Sequence, residues 1–183
     1  MTAPRSASIV LLLVLAGPLP SCGGPRVASA PVTPAPSPAT PAPGTLAPPT
    51  EGDVTRVLDD WHDAAARSDE ERYFGHLTKD AIFIGTDDSE RWDVKAFRAY
   101  AHEPFSRGKG WVMRPTSRHV IFADGGRTAW FDEQLDAKNL GAARGSGVLV
   151  RGDDGTFRIA HYVLSVSVPN EKFKRVKELL EQN

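Results

Sequence analysis

From Gly110 onward the chain runs for about sixty residues in alternating and β-branched composition, broken by two Asp-Gly turns, and few folds accommodate that pattern. Ser117 to Ala123 and Thr128 to Asp136 flank Asp124-Gly125-Gly126. Gly145 to Arg151 and Thr156 to Val168 flank Asp153-Asp154-Gly155. Asp and Gly tolerate the positive φ of tight hairpins, so each pair of segments is expected to be antiparallel. Ahead of this run the period is helical. Asp53 is the expected N-cap of a helix whose Val54, Val57, Leu58, Trp61, Ala64 and Ala65 share one face. Glu70 to Leu77 reads as a second short helix carrying Tyr73 and Phe74, Ala81 to Ile84 as a strand, and Gly85 to Ser89 as a polar turn. Trp92 to Phe105 reads as a third helix with Val94, Phe97 and Ala101 on one side. After Pro169, a last helix capped by Asn170 places Phe173, Val176, Leu179 and Leu180 on one face. Helices first and an antiparallel sheet after them predict an α+β fold in which a curved sheet wraps the helices.

That domain occupies residues 51–183. Of the 15 prolines, nine fall between Pro25 and Pro49, in a stretch of Pro, Ala, Thr, Ser and Gly without apolar periodicity. Such a stretch buries too little to offset the entropy of ordering it, so residues 22–50 are expected to be a disordered tether. All 23 acidic residues follow Thr50, against 20 basic ones there, and this net −3 excludes a basic nucleic-acid footprint. At the extreme N-terminus Arg5, the apolar run Ile9 to Ala16 and the small residues up to Ser21 have the order of a secretory signal, and the run is far too short to span a bilayer. Leu19-Pro20-Ser21-Cys22 resembles the lipobox of bacterial lipoproteins, and Cys22 is the sole cysteine. The expectation is export, lipidation at Cys22 and anchoring at the envelope. Gly23 in place of Asp favours the outer membrane where the host has one.

Four segments carry a family resemblance: Ile84-Gly85-Thr86-Asp87 with Glu90-Arg91-Trp92, Ala129-Trp130-Phe131-Asp132-Glu133, Arg144-Gly145-Ser146-Gly147, and Phe157-Arg158-Ile159-Ala160-His161 with Ser165. In this order they resemble the SnoaL-like branch of the nuclear transport factor 2 superfamily over about residues 51–170. The resemblance implies a cone whose sheet and helices enclose a pocket at the open end, and association into a homodimer through the outer sheet face. The helix after Asn170 stands outside the shared pattern.

Fold does not set function here, because the superfamily includes isomerases, dehydratases, cyclases and modules without catalysis. Trp130 and Asp132 lie on one face of their strand and Phe131 and Glu133 on the other, so one of the two acids points into the cone, and the residues leave open which. His161 shares strand parity with Ile159 and Val163, as either a pocket-wall histidine or a core histidine bonded to a neighbouring strand would. Trp92 and Trp130 are candidates to line a pocket for a flat ligand, Tyr100 to face either the cone or water, and Arg144 to pair with a ligand carboxylate or with Glu133. The histidines show no metal-ligand spacing, and no nucleophile elbow or phosphate loop occurs, so no metal or cofactor is expected. The leading expectation is a tethered, non-catalytic domain that binds a small apolar or amphipathic molecule or an envelope protein. The alternative is a cofactor-independent isomerase, dehydratase or hydrolase using Asp132 or Glu133 with His161.

Overall fold

The computed structural model describes residues 46–182. The signal-like run, Cys22 and most of the Pro-rich arm lie outside the described residues. Helix α1 (Glu51–Ala66) starts three residues earlier than its apolar period suggests. Thr50 is the N-cap, and Asp53, expected as the cap, instead closes a capping box by accepting from the Thr50 backbone N–H at 2.8 Å. Helix α2 (Glu70–Gly75) is short and capped by Asp69; Leu77, expected to end it, opens strand β1 (Leu77–Ile84). Trp92, expected in the third helix, belongs to a three-residue strand β2 (Arg91–Asp93), and helix α3 (Val94–Ser106) begins behind an Asp93 cap.

The two expected hairpins form as β3 (Met113–Phe122) with β4 (Thr128–Ala137) and β5 (Gly141–Arg151) with β6 (Phe157–Val166). Gly125 and Gly126 at the first turn and Gly155 at the second have the positive φ that such turns demand. The sheet order is β2-β1-β6-β5-β4-β3. It is mixed rather than wholly antiparallel, because β1 pairs parallel to β6. No hairpin links those strands, so local turn chemistry carries no signal of their pairing. Pro115 sits on β3, an edge strand, where its missing N–H costs little.

The concave face closes on α1, α2 and α3 around an aromatic core. Trp61 stacks on Tyr73 at 4.9 Å and meets Tyr162 edge-on at 4.7 Å, while Phe83 stacks on Phe97 at 4.0 Å. Trp61, Tyr73, Phe97 and Tyr162 are buried almost completely, so the interior of the cone is filled by side chains.

The two ends of the sheet differ. At one, the β3–β4 and β5–β6 turns hold residues 46–49: Arg151 Nη1 donates to the Ala47 carbonyl at 2.7 Å, and Pro49 lies against Gly126. The ordered domain thus reaches back into what composition assigns to the tether. The other end carries the β4–β5 turn and the start of β3, and there β6 runs out toward the C-terminus. Asn170, expected as a helix cap, lies in a 3-10 turn (Asn170–Lys172), followed by α4 (Phe173–Leu180), none of whose side chains is buried. Among the described residues no helix is long and apolar enough to cross a membrane.

Candidate functional site

Strand β4 alternates strictly, and the phase containing Ala129, Phe131, Leu135 and Ala137 is the buried one. Glu133 shares that phase and is 1 % exposed, whereas Asp132 is solvent-exposed on the outer face. Of the two candidate acids, the one inside the cone is Glu133.

Both Glu133 oxygens are occupied. Oε1 lies 2.8 Å from His62 Nε2 and accepts the Tyr162 hydroxyl at 3.2 Å. Oε2 accepts Arg118 Nε at 2.9 Å and has Arg118 Nη2 at 2.7 Å. Arg118 also donates through Nη1 to Asp59 at 2.8 Å, which joins β3 to α1. Burial pushes the Glu133 carboxyl up and is the largest single influence on it, but His62 and Arg118 together outweigh burial and leave it below its ordinary range. Burial, reinforced by Glu133, holds the Tyr162 phenol well above its usual value, so it stays a donor.

Of the glycines in Arg144-Gly145-Ser146-Gly147, Gly145 makes room for this cluster and Gly147 for the β6 backbone. A Cβ at Gly145 would lie 2.2 Å from the Tyr162 hydroxyl and 2.8 Å from Glu133 Oε1, and one at Gly147 would lie 2.2 Å from the His161 carbonyl oxygen. Arg144 is exposed on the outer face opposite Gln134, and the arginine that pairs with Glu133 is Arg118, directly across from it on β3. The structure does not bring Arg144 and Glu133 together.

His161 is not on the face of Ile159. Val148 pairs with His161 and Leu149 with Ile159, so Ala160 is an extra residue in β6 and the side-chain phase inverts there. Ile159, Tyr162 and Leu164 face inward, and His161 falls on the outer face. Trp130 is there too, 43 % exposed. Cross-strand register aligns Ile121, Trp130, Val148, His161 and Ile82 in one row over five strands. His161 and Asp132 therefore do not join Glu133, and Trp130 does not line the cone.

Trp92 and Tyr100 do come together. They stack at 4.8 Å and line a pocket of about 230 Å³ at the end of the sheet away from residues 46–49. Phe83, Trp111, Met113 and Leu164 complete its apolar wall, with Thr86, Asn139 and Glu90 as polar lining groups. Glu90 and Tyr100 are its only ionisable residues, and neither has a histidine beside it in the lining. Glu133 does not reach the pocket: Phe83, which lines it, stacks at 5.5 Å on Tyr162, and Tyr162 in turn covers the carboxylate. Among the described residues no group of three His, Cys, Asp or Glu side chains is placed to hold a metal ion.

Residues 54–169 match the SnoaL-like domain family. No curated protein matches the chain. Among solved structures, an NTF2-like protein of unknown function from Pseudomonas putida KT2440 is similar with a TM-score of 0.54 at 14% identity, over 67% of this chain and 89% of that one. A protein described as a candidate ketosteroid isomerase from Shewanella frigidimarina gives 0.52 at 15% identity, over 63% and 96% of the two chains. One described as a candidate scytalone dehydratase from Novosphingobium aromaticivorans gives 0.54 at 12% identity, over 64% and 83%. At such identities these likenesses speak for the fold alone. The helices inside a curved, open sheet, with a pocket at one end of the cone, give the chain an NTF2-like fold and agree with the family match: the chain belongs to the SnoaL-like domain family.

Proposed function

We propose that this chain is an exported, lipid-anchored envelope protein whose domain binds a small apolar or amphipathic molecule, without catalysis, in the pocket beside Trp92 and Tyr100. The observation that carries the reading is the separation of the pocket from the buried charges. An apolar, aromatic-walled recess with a few polar groups is the ordinary form of a small-molecule site. At about 230 Å³ it suits a ring system or a short chain rather than a large ligand. Proton transfer through the buried pair would need the ligand to reach Glu133, which is sealed behind Phe83 and Tyr162 with both oxygens bonded, and Glu90, the carboxylate in the pocket lining, has no histidine beside it there.

The test uses anilinonaphthalene sulfonate, an amphipathic aromatic probe. The account expects saturable one-to-one binding that Trp92→Ala weakens at least tenfold and Trp130→Ala leaves unchanged. Equal weakening by both, or none, contradicts it.

One observation favours the catalytic alternative, in an altered form: Glu133 and His62 make a carboxylate–imidazole pair at 2.8 Å inside the cone. A substrate that displaced Phe83 and Tyr162 would meet it. In that case Glu133→Gln abolishes turnover of a substrate that the wild type converts, whereas in the binding account the same change leaves probe affinity intact.

Two further proposals concern assembly. Lipid attachment at Cys22 rests on the lipobox-like Leu19-Pro20-Ser21-Cys22, and Cys22→Ser is expected to release the protein from membranes. The row Ile121, Trp130, Val148, His161 and Ile82 supports a homodimer through the outer sheet face, since an apolar stripe of that extent gains by being covered.

A further inference from the structure

Helix α4 is amphipathic and leaves its apolar face largely uncovered, with Val176 alone half-buried. Phe173, Leu179 and Leu180 are 56%, 58% and 71% exposed, and no residue of the helix is buried. At about 100° per residue, Phe173, Val176, Leu179 and Leu180 occupy one arc about 120° wide. The charges are sorted around that arc. Arg175 and Lys177 flank its two edges, each about 40° beyond the nearest apolar residue, while Glu178 lies close to the opposite pole. Lys174, also near that pole, pairs with Glu178 at 3.9 Å, and Lys177 lies 3.5 Å from Glu181. All four of those side chains are more than half exposed, and such pairs hold their members weakly. Among the described residues Arg175 has no acidic partner.

We infer that α4 is an interfacial helix that docks on an anionic phospholipid surface. Its apolar arc enters the acyl boundary, and Arg175 and Lys177 reach headgroup phosphates on either side. The sorting of charge selects this occupant: cations beside the apolar arc meet phosphates, and Glu178 is turned toward water. The helix follows β6 at the end of the sheet that holds the Trp92 and Tyr100 pocket, and residues 46–49 lie at the other end. The contact is made by residues distinct from any anchor at Cys22.

The lone cysteine makes a local test direct. In the full chain with Cys22→Ser, a single cysteine is introduced as Leu179→Cys or, separately, as Glu178→Cys, and labelled with an environment-sensitive nitrobenzoxadiazole dye. Vesicles are phosphatidylcholine alone or phosphatidylcholine mixed with phosphatidylglycerol. The expected result is a blue shift and brightening of the dye at 179, not at 178, with anionic vesicles only. Adding Arg175→Glu and Lys177→Glu weakens it at least tenfold. Since the dye reports α4 itself, binding through the N-terminal run does not mimic the result, and α4 is exposed enough that an unchanged melting curve is expected of each labelled chain. No shift with either vesicle, or equal shifts with both, overturns the inference. A lipid-free shift also overturns it: one that grows with protein concentration assigns the helix face to a second copy, and one present at high dilution assigns it to the chain's own pocket.

Discussion

His62 on α1 and Glu133 on β4 meet at 2.8 Å in the interior of the cone, and this contact ties the first helix to the strand next to the sheet's β3 edge. Around it Arg118 and Tyr162 fill the remaining bonding positions of the carboxylate, which makes the cluster self-contained. A buried network of this kind fixes one arrangement of the parts, and losing one member is expensive because the others stay buried.

Replacing Glu133 with Ala leaves His62, Arg118 and Tyr162 without their shared acceptor. The expected loss is about 3 kcal/mol of folding stability, at the lower end of the range for breaking a buried ion pair because Arg118 keeps Asp59. Chemical denaturation at neutral pH checks it. A change below about 0.5 kcal/mol, the scale of an ordinary surface substitution, would show that the network carries little.

Gly145→Ala places a methyl group 2.2 Å from the Tyr162 hydroxyl. We expect about 1–3 kcal/mol of destabilisation from this overpacking. Removing the hydroxyl with Tyr162→Phe relieves part of the strain, so the double variant is more stable than the two single losses added together. Strict additivity in a double-mutant cycle is the opposing outcome.

The acid limb of the stability curve has a defined sign. The Glu133 carboxyl is lowered from its ordinary 4.5 in the fold. A group lowered on folding contributes stability in full above its unfolded value and loses it as pH falls through the folded one. The stability gap between wild type and Glu133→Gln is therefore widest above about pH 5 and narrows as the solution is acidified through and below the ordinary carboxyl range. Asp60, held at about 2 first by Arg72, and Asp154, held at about 2 first by Arg158, are present in both proteins, so the difference isolates Glu133. Urea midpoints between pH 7 and pH 3 give the comparison, and a gap that widens toward acid would have the wrong sign.

Trp130→Glu puts a charge into the outer row and is expected to leave the melting temperature nearly unchanged at a dilution where only monomer is present. At micromolar concentration it shifts sedimentation from dimer to monomer. A wild type that sediments as monomer throughout that range contradicts the dimer outright.

Much of this was legible in the chain. The apolar period of α1, the Asp-Gly turns and the alternation of β4 and β5 are local signals, and local sterics dictate the structure they predict. The alternation of β4 even held the answer about its acids, since Glu133 shares its phase with Ala129, Phe131, Leu135 and Ala137, while Asp132 keeps company with Thr128, Gln134 and Asp136. His62 had a fainter signal: it follows Leu58 by one helical turn and so lies on the apolar face of α1. Arg118 had none, because its place opposite Glu133 depends on a register shift between Pro115 and Ser117. The extra residue at Ala160 moved His161 to the outside, and a single inserted residue reverses every later side chain in a strand. Parallel pairing of β1 with β6 joins segments far apart in sequence, which no local pattern encodes.

In the proposed function the cone binds at its mouth and is closed below. A crystal structure of the protein purified from its own host, with whatever it carries, tests this most directly. The account predicts density for a small molecule against Trp92 and Tyr100, with His62 and Glu133 still in contact beneath Phe83 and Tyr162. Density that reaches the Glu133 carboxylate, with Tyr162 turned aside and His62 parted from its oxygen, would contradict it and give the cone to acid–base chemistry.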